Sequence, residues 1–360
     1  MLIRVVLIIL LVFEYRSSLA NECTNIKANE SPHDNKPVVI QKPGRYCLQS
    51  DVKLQDNFVI SEGGWKSNGR SGLFIIETYD PSEPHEGRGL FDINPIYVKP
   101  GDGPVFDIDL QKHTLSHKSK TGVGFIGRAY RTRIQNGSIK DVHLGIKLYG
   151  GFSGVWTVGR DDNRDLSSEE FEDMPFSKLK VKNNPPKYQN TDYLIDSINV
   201  FSIKRGAEVS GSGNVIRNSI IEVDGHTAIY MYGPNPIIEN NTIVIYGKGE
   251  GEFYLKGRGY ERIPNGKNPN GSIRYDSIWH EGKKTNIQSA PIKLRDAQGG
   301  IIRNNRIIYK GGLFSGKAPV AINLLDSKDV LIEGNTIEGF ENLVRENGDT
   351  SYIENNNTLN

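Results

Sequence analysis

The sequence has few cysteines, no charge excess and only one long apolar run. Its 360 residues include two cysteines, and 44 Lys and Arg residues against 43 Asp and Glu residues give a net charge of +1. Two cysteines are too few for a structural zinc site built from thiolates. The balanced charge argues against a nucleic-acid-binding protein, which usually has a basic excess. Segments with the composition of long helices are scarce, whereas glycine is frequent, with 39 residues.

The first 20 residues have the pattern of a secretory signal peptide. Arg4 precedes an apolar run at 5–13, and small residues at 18–20 form a cleavage site near Ala20. The run is too short to span a membrane, and no other stretch approaches that length. We therefore expect a secreted or periplasmic protein with no membrane span. In an oxidising compartment Cys23 and Cys47 are expected to form a disulfide bond, with two buried free thiols as the alternative.

Two short patterns recur along the chain. The first is an apolar residue, two further residues, Asn, one residue and Ile, and its closer and looser copies lie at 110–115, 134–139, 215–220, 238–243, 302–307 and 332–337. The second is a small residue followed by alternating apolar and polar residues, and its copies lie at 122–125, 145–149, 228–232, 291–295 and 321–324. Alternation with period two marks half-buried strands, and Gly and Asn mark the turns between them.

The spacing of the second pattern predicts the fold. Its first inward residues are Val123, Ile146, Ala207, Ile229, Ile292 and Ile322. Two of the steps between them are 22 and 23 residues, and two others are 61 and 63 residues, which equals one coil plus an insertion of about 40 residues. Three short strands in each coil predict an all-β fold, a single-stranded right-handed parallel β-helix with coils of about 22–23 residues and long loop insertions.

This prediction divides the chain into parts. We expect an N-terminal cap and first irregular coils over 21–100, followed by the β-helix over 101–345. The two insertions fall at about 150–189 and 247–288, and residues 346–360 form a C-terminal partial strand or tail. A single β-helix of this kind is expected to be a monomer.

Three stretches carry a resemblance to a known family. Residues 43–48, 107–115 and 136–139 are similar to secreted bacterial β-helix repeat proteins of the pectate-lyase-like superfamily. The resemblance covers roughly residues 40–345. It implies the fold more strongly than the activity, because the superfamily contains lyases, hydrolases, epimerases, adhesins and proteins without known activity.

The alternation predicts a charged outer surface on one face. Side chains one coil apart come within reach of each other, and the two outward rows are expected to hold Gly124, Lys147, Glu208, Tyr230, Lys293 and Asn323, and beside them Tyr149, Ser210, Tyr232 and Arg295. The insertions are expected to wall a groove over this face, since long loops on a rigid scaffold are often functional. The residues predicted to contact substrate are Lys147, Tyr149, Trp156, Tyr232, Arg258 and Trp279.

A groove of Lys, Arg and Tyr suits an acidic polysaccharide. Lyases of this fold cleave uronate chains by β-elimination, which needs a cation to neutralise the uronate carboxylate, a base and an acid. Arg295 or Lys147 could supply the cation, Lys293 the base, and Tyr230 or Tyr232 the acid.

Several alternatives remain open at the level of sequence. Glu208, the carboxylate of the row, with Asp296 near its end, could bind Ca²⁺ for the neutralising role. The same two carboxylates could serve a glycoside hydrolase, and an epimerase is a further enzyme class. The alternative to an enzyme is a non-catalytic glycan-binding or surface-interaction protein that uses the same groove.

Overall fold

The structure is a computed structural model. It describes residues 23–26, 38–40, 43–54, 72–77, 106–117, 122–128, 130–148, 152–153, 158–159, 180–181, 187–188, 190–225, 227–247, 253–256, 259–281, 283–286, 290–311 and 317–360. Within these residues the chain forms strands and turns, and no helix. The predicted parallel β-helix is confirmed.

Three ladders of parallel strands form the three faces of the β-helix. The first face consists of β1 (Thr24–Asn25), β3 (Gly44–Cys47), β6 (Phe106–Asp109), the first parts of β9 (Thr132–Leu148) and β14 (Leu194–Ser210), β15 (Val215–Arg217), β18 (Ile237–Glu239), β25 (Ile301–Arg303), β28 (Val330–Glu333) and β31 (Tyr352–Asn355). The second face consists of β4 (Val52–Leu54), β7 (Thr114–His117), the middle parts of β9 and β14, β16 (Ile220–Val223), β19 (Thr242–Ile245), β26 (Arg306–Tyr309), β29 (Thr336–Glu338) and β32 (Thr358–Leu359).

The third face consists of β2 (Val38–Ile40), β5 (Gly72–Glu77), β8 (Val123–Arg128), the last parts of β9 and β14, β17 (Ile229–Tyr232), β24 (Ile292–Arg295), β27 (Ala318–Leu325) and β30 (Phe340–Asn347). The two long strands β9 and β14 continue around the corners, so each contributes to all three faces.

The coil length agrees with the repeat in the sequence. On the first face Ile195 pairs with Ile216 and Ile216 with Ile238, which are steps of 21 and 22 residues. On the third face the predicted register holds from Ile146 to Ile322.

At the N-terminal end of the third face the predicted register is wrong by two residues. Ile146 pairs with Phe125, not with Val123, so Ile126 rather than Gly124 stands beside Lys147. In the observed register Gly124 stands beside Gly145, and a Cβ added to Gly124 would lie 2.4 Å from the backbone oxygen of Gly145. Only glycine fits there, but both Gly122 and Gly124 meet that requirement, so the sequence pattern alone did not distinguish the two registers.

Isoleucine ladders fill the interior. Every second residue of a strand points inward, and on the first two faces the fully buried positions include Ile134, Ile195, Ile216, Ile238, Ile302, Ile332, Ile139, Ile221, Ile243, Ile307 and Ile337. β-branched side chains pack well against identical neighbours one coil away. The interior is therefore a single continuous apolar core along the stack.

An asparagine ladder lines the corner between the first and second faces. Asn241, Asn305, Asn335 and Asn357 stack there, and each of the first three donates its Nδ2 to the Oδ1 of the next at 2.9–3.0 Å. Their backbone amides also donate to the next Oδ1. The ladder satisfies polar groups that would otherwise be buried without partners, which would be costly.

Opposite charges alternate along the outside of the first face. Asp196 pairs with Arg217 at 2.8 Å, and Glu239 pairs with Arg303 at 2.7 Å. At the N-terminal end Cys23 and Cys47 are joined by a disulfide bond with a Cα–Cα distance of 5.7 Å. At the other end β31 and β32 continue the first and second faces.

Candidate functional site

The third face brings together the charged residues that the sequence placed on one row. In the register of the parallel strands Lys147 stands beside Glu208, Glu208 beside Tyr230, Tyr230 beside Lys293 and Lys293 beside Asn323. Five consecutive coils thus each contribute one side chain to what we call the outer row. A second row beside it holds Ser210, Tyr232 and Arg295. These side chains share the outer surface because residues alternate along each strand, and the residues between them point into the apolar core.

Glu208 binds two cationic side chains. One of its carboxylate oxygens lies 2.6 Å from Nη1 of Arg205, and the other lies 2.9 Å from Nζ of Lys147. Burial alone raises the pKa of Glu208, but the charges of Arg205 and Lys147 outweigh it and lower the pKa to about 2. Glu208 therefore stays ionised at neutral pH.

Two cations lie close to the ring of Tyr230. The guanidinium carbon of Arg205 is 5.1 Å from the centroid of the Tyr230 ring, and Nζ of Lys293 is 5.6 Å from it. The ring of Tyr232 lies beside it, with 5.3 Å between centroids. Both cation distances are within the range of cation–π attraction.

Arg205 is the member of this cluster that the sequence pattern did not identify. It stands in the corner before the third-face part of β14, where the pairing with β9 shifts register between Ser202 and Arg205. Period-two alternation cannot orient a side chain across such an irregularity. A spacing of three residues between Arg205 and Glu208 is the only hint in the sequence, and it is weak.

The predicted catalytic residues are close together but covered. Tyr230 is 3% exposed, Lys293 1%, Arg295 0% and Glu208 8%. The side chain of Lys147 is half-buried. In this structure a polymer would therefore meet Lys147 and the edge of Tyr232, but not the side chains proposed for proton transfer.

The first insertion contains two short antiparallel strand pairs. Its strand β10 (Phe152–Ser153) pairs with β13 (Lys187–Tyr188), and β11 (Val158–Gly159) pairs with β12 (Lys180–Val181). A Cβ added to Gly233, which follows β17, would lie 2.8 Å from Cδ1 of Tyr188.

Tyr188 packs over the end of the second row. Burial and the nearby charge of Asp296 raise the pKa of Tyr188. Burial also raises the pKa of Asp296, and the carboxylate of Asp326 on the following coil adds to the rise. This packing contributes to the burial of the rows, which was not evident from the outward positions alone.

The second insertion forms a long antiparallel ribbon. Strand β20 (Phe253–Lys256) pairs with β23 (Lys283–Asn286), and β21 (Gly259–Lys267) pairs with β22 (Ile273–His280). We call the β21–β22 part, with its tip at 268–272, the ribbon. Its side chains in the described part are mostly exposed.

One side of the ribbon is apolar and aromatic. Ile273, Tyr275 and Trp279 alternate along β22 and so project to the same side, with exposed fractions of 51%, 47% and 42%. Pro264 pairs with Tyr275 and lies on the same side. Ile278, 47% exposed, projects to the opposite side.

Three of the predicted substrate-binding residues, Tyr149, Trp156 and Arg258, lie outside the described residues. Of the other three, Lys147 and Tyr232 stand on the two rows of the third face, and Trp279 stands on the ribbon.

The described residues contain no group of three or more His, Cys, Asp or Glu side chains arranged to hold a metal ion. Glu208 is the carboxylate considered for Ca²⁺, and each of its two carboxylate oxygens already forms an ion pair with a cationic side chain. Within the described residues there is no helix long and apolar enough to cross a membrane. Comparisons with protein-family models, with curated proteins and with solved structures give no match to this chain.

Proposed function

We propose that this chain is an exported β-helix protein, related to the pectate-lyase-like superfamily, that binds an acidic polysaccharide without cleaving it. The ribbon is its contact surface. The observation that carries the proposal is the exposure of Tyr275 and Trp279 on one side of the ribbon. Exposed aromatic side chains aligned along one strand form a platform on which sugar rings can stack.

The charge of the second insertion supports an acidic ligand. Residues 247–288 contain eight Lys and Arg residues and five Asp and Glu residues, which gives a net charge of +3. Lys267 pairs with Ile273 near the tip, so it lies on the aromatic side, and it is exposed; Arg274 is exposed on the opposite side. A local positive charge attracts a polyanion, and the ammonium group of Lys267 can pair with a uronate carboxylate.

The dimensions of the ribbon suit a polymer rather than a single sugar. Tyr275 and Trp279 are four residues apart on one strand, which separates them by about 13 Å at about 3.3 Å per residue. An extended glycan chain could therefore contact both rings at once. The indole nitrogen of Trp279 donates to Glu281 at 2.9 Å, which helps to orient that ring.

The outer row supports catalysis less well. A general acid or base works best with a pKa near the working pH, whereas Glu208 has a pKa of about 2 and holds two cations. Lys293 and Arg295 are buried. A lyase of uronate-containing glycans, with Lys293 as base and Tyr230 as acid, is therefore the second candidate, and its supporting observation is that these residues pair on adjacent strands.

The test is a binding assay with purified mature protein and alginate, pectate, chondroitin, heparin and hyaluronan. We expect one of these polymers to bind, and Trp279→Ala and Tyr275→Ala each to weaken binding at least tenfold. Ile278→Ala is the matched control, because Ile278 is equally exposed on the other side of the same strand. Binding should also weaken with added salt.

The same samples are followed by ultraviolet absorbance for unsaturated uronate ends. A rising signal that is lost in Lys293→Ala and Tyr230→Phe would replace the proposal with the lyase. Absence of binding to all five acidic polymers, or equal loss in Ile278→Ala, would reject the ribbon as an acidic-glycan surface.

A further inference from the structure

The asparagine ladder stops before the N-terminal coils. From the C-terminal end, the corner between the first and second faces is occupied by Asn357, Asn335, Asn305 and Asn241, and then by Ser219. The hydroxyl oxygen of Ser219 accepts a hydrogen bond from the backbone N–H of Ile198. In the next two coils the equivalent positions are Ile198 and Gly137. A Cβ added to Gly137 would lie 2.2 Å from Cβ of Leu110, so the backbone at this corner packs closely against the preceding coil.

A cavity opens on the outside of this altered corner. Its volume is about 650 Å³, which is within the range of ligand sites. We call it the corner cavity; its lining residues are Asp109, Gln111, Lys112, Asn136, Gly137, Ser138, Ser197 and Asn199. It is separate from both the ribbon and the outer row, because its residues belong to the first and second faces and the corner between them.

The corner at the rim of the cavity has one more left-handed residue than the equivalent corners of later coils. Gln111 and Lys112 have φ angles of 48° and 66°, the only two consecutive non-glycine residues with positive φ in the described part of the chain. The equivalent corners of later coils use one such residue, for example Asn240 or Asn304. Left-handed backbone costs about 1–2 kcal/mol per non-glycine residue, and such strain persists mainly where a site requires it.

The polar groups of the cavity are partly satisfied and partly unused. Asp109 is occupied: it accepts from the backbone N–H of Gln111 at 3.0 Å and from Nδ2 of Asn136 at 3.4 Å, and it pairs with Arg45 at 3.3 Å. The side chains of Lys112, Ser138 and Asn199, by contrast, form no hydrogen bond or ion pair within the described residues.

We propose that the corner cavity binds a neutral saccharide unit. Amides, hydroxyls and one ammonium offer both donors and acceptors, as the hydroxyl groups of a sugar require. The charge of Asp109 is already balanced by Arg45, and a single lysine is a weak anchor for a polyanion. The proposal concerns a site different from the ribbon and a ligand different from the acidic polymer.

The experiment is saturation-transfer NMR on the full mature protein with glucose, galactose, mannose and N-acetylglucosamine, and with glucuronate as the acidic comparison. We expect at least one neutral sugar to give a signal, and Asn199→Ala and Lys112→Ala each to weaken its binding at least tenfold. Thr242→Ala is the matched control, since Thr242 occupies the same row two coils further on; it should bind within twofold of the unchanged protein.

A second variant distinguishes a binding role from a structural one. Lys112→Gly removes the strain of a left-handed lysine, so we expect it to raise the melting temperature while it weakens saccharide binding. The proposal is overturned if no neutral sugar binds, if only glucuronate binds, or if the Asn199 and Lys112 variants bind as well as the control. A signal lost in Trp279→Ala but kept in Asn199→Ala would assign the sugar to the ribbon instead.

Discussion

At the scale of single residues, buried interactions between charged and aromatic side chains stabilise the outer row. Arg205 and Lys147 both contact Glu208, and Tyr230 lies against Arg205 and Lys293. Removing one partner of a buried pair leaves the other charge without compensation, which costs more than the pair itself contributes. The sequence predicted that Lys147, Glu208, Tyr230 and Lys293 share a row, because alternation fixes the side of each residue.

Glu208 should make stability depend on pH. Its folded-state pKa of about 2 lies below its ordinary value of 4.5, so its stabilisation is present above about pH 4.5 and is lost as the pH falls toward 2. A difference of this size corresponds to roughly 3 kcal/mol at neutral pH. We expect Glu208→Gln to lower the free energy of unfolding by about 3–5 kcal/mol at pH 7 and to flatten its fall between pH 4.5 and 2.

Urea unfolding followed by circular dichroism across this pH range measures both effects. Glu338→Gln is the matched control, because Glu338 also pairs with an arginine, Arg306 at 2.8 Å, but on the surface. An exposed pair contributes little to stability, because solvent and salt screen the two charges. Equal effects of the two substitutions at pH 7 would contradict the assignment of Glu208 as a buried anchor.

At the scale of elements, the corners decide how the strands stack. The Asn pattern in the sequence located the corner between the first and second faces, and the structure shows why Asn recurs there: each side chain bonds to the next coil. Asn305 is held on both sides, since it donates to Ile238 and Asn335 and accepts from Asn241.

Loss of the Asn305 side chain should destabilise the stack. We expect Asn305→Ala to lower the free energy of unfolding by about 3 kcal/mol, because it leaves buried polar groups of Asn241 and Ile238 without partners at about 1–3 kcal/mol each. Thermal and urea unfolding measure the change.

The neighbouring Asn304 provides the control for this prediction. It is exposed and has a φ of 54°, so glycine suits its backbone. Asn304→Gly should change the free energy of unfolding by less than about 0.5 kcal/mol. If Asn305→Ala were as mild, the ladder would not be a source of stability.

At the scale of the whole molecule, the β-helix is nearly one-dimensional. Each coil contacts mainly the coils before and after it, so a local loss need not spread along the stack. The disulfide bond between Cys23 and Cys47 closes a loop of 24 residues at the N-terminal end. A loop of this length is worth about 3 kcal/mol in the chain-entropy account.

Cys23→Ala should therefore loosen the first coils only. We expect faster amide hydrogen exchange in β1 and β3 and unchanged exchange in β25 and β28, because exchange reports local opening. A thiol reductant should reproduce the effect in the unchanged protein and have no further effect on Cys23→Ala. Loss of protection along the entire stack would show that the coils unfold as one unit.

The sequence by itself determined the repeat. Alternation fixed which side chains enter the core, Gly and Asn fixed the corners, and the spacing of Ile146, Ala207, Ile229, Ile292 and Ile322 fixed the coil length and both insertions. These features depend on neighbours in the chain or one coil away, and a short pattern can express them.

Only the tertiary structure decided what covers the outside. Tyr188 reaches the third face from an insertion, Arg205 turns toward Glu208 across an irregular corner, and Gly124 rather than Gly122 aligns with Gly145. The ribbon likewise leaves Trp279 exposed. Such contacts join residues without a fixed spacing, so burial and access to the charged rows follow from packing in three dimensions.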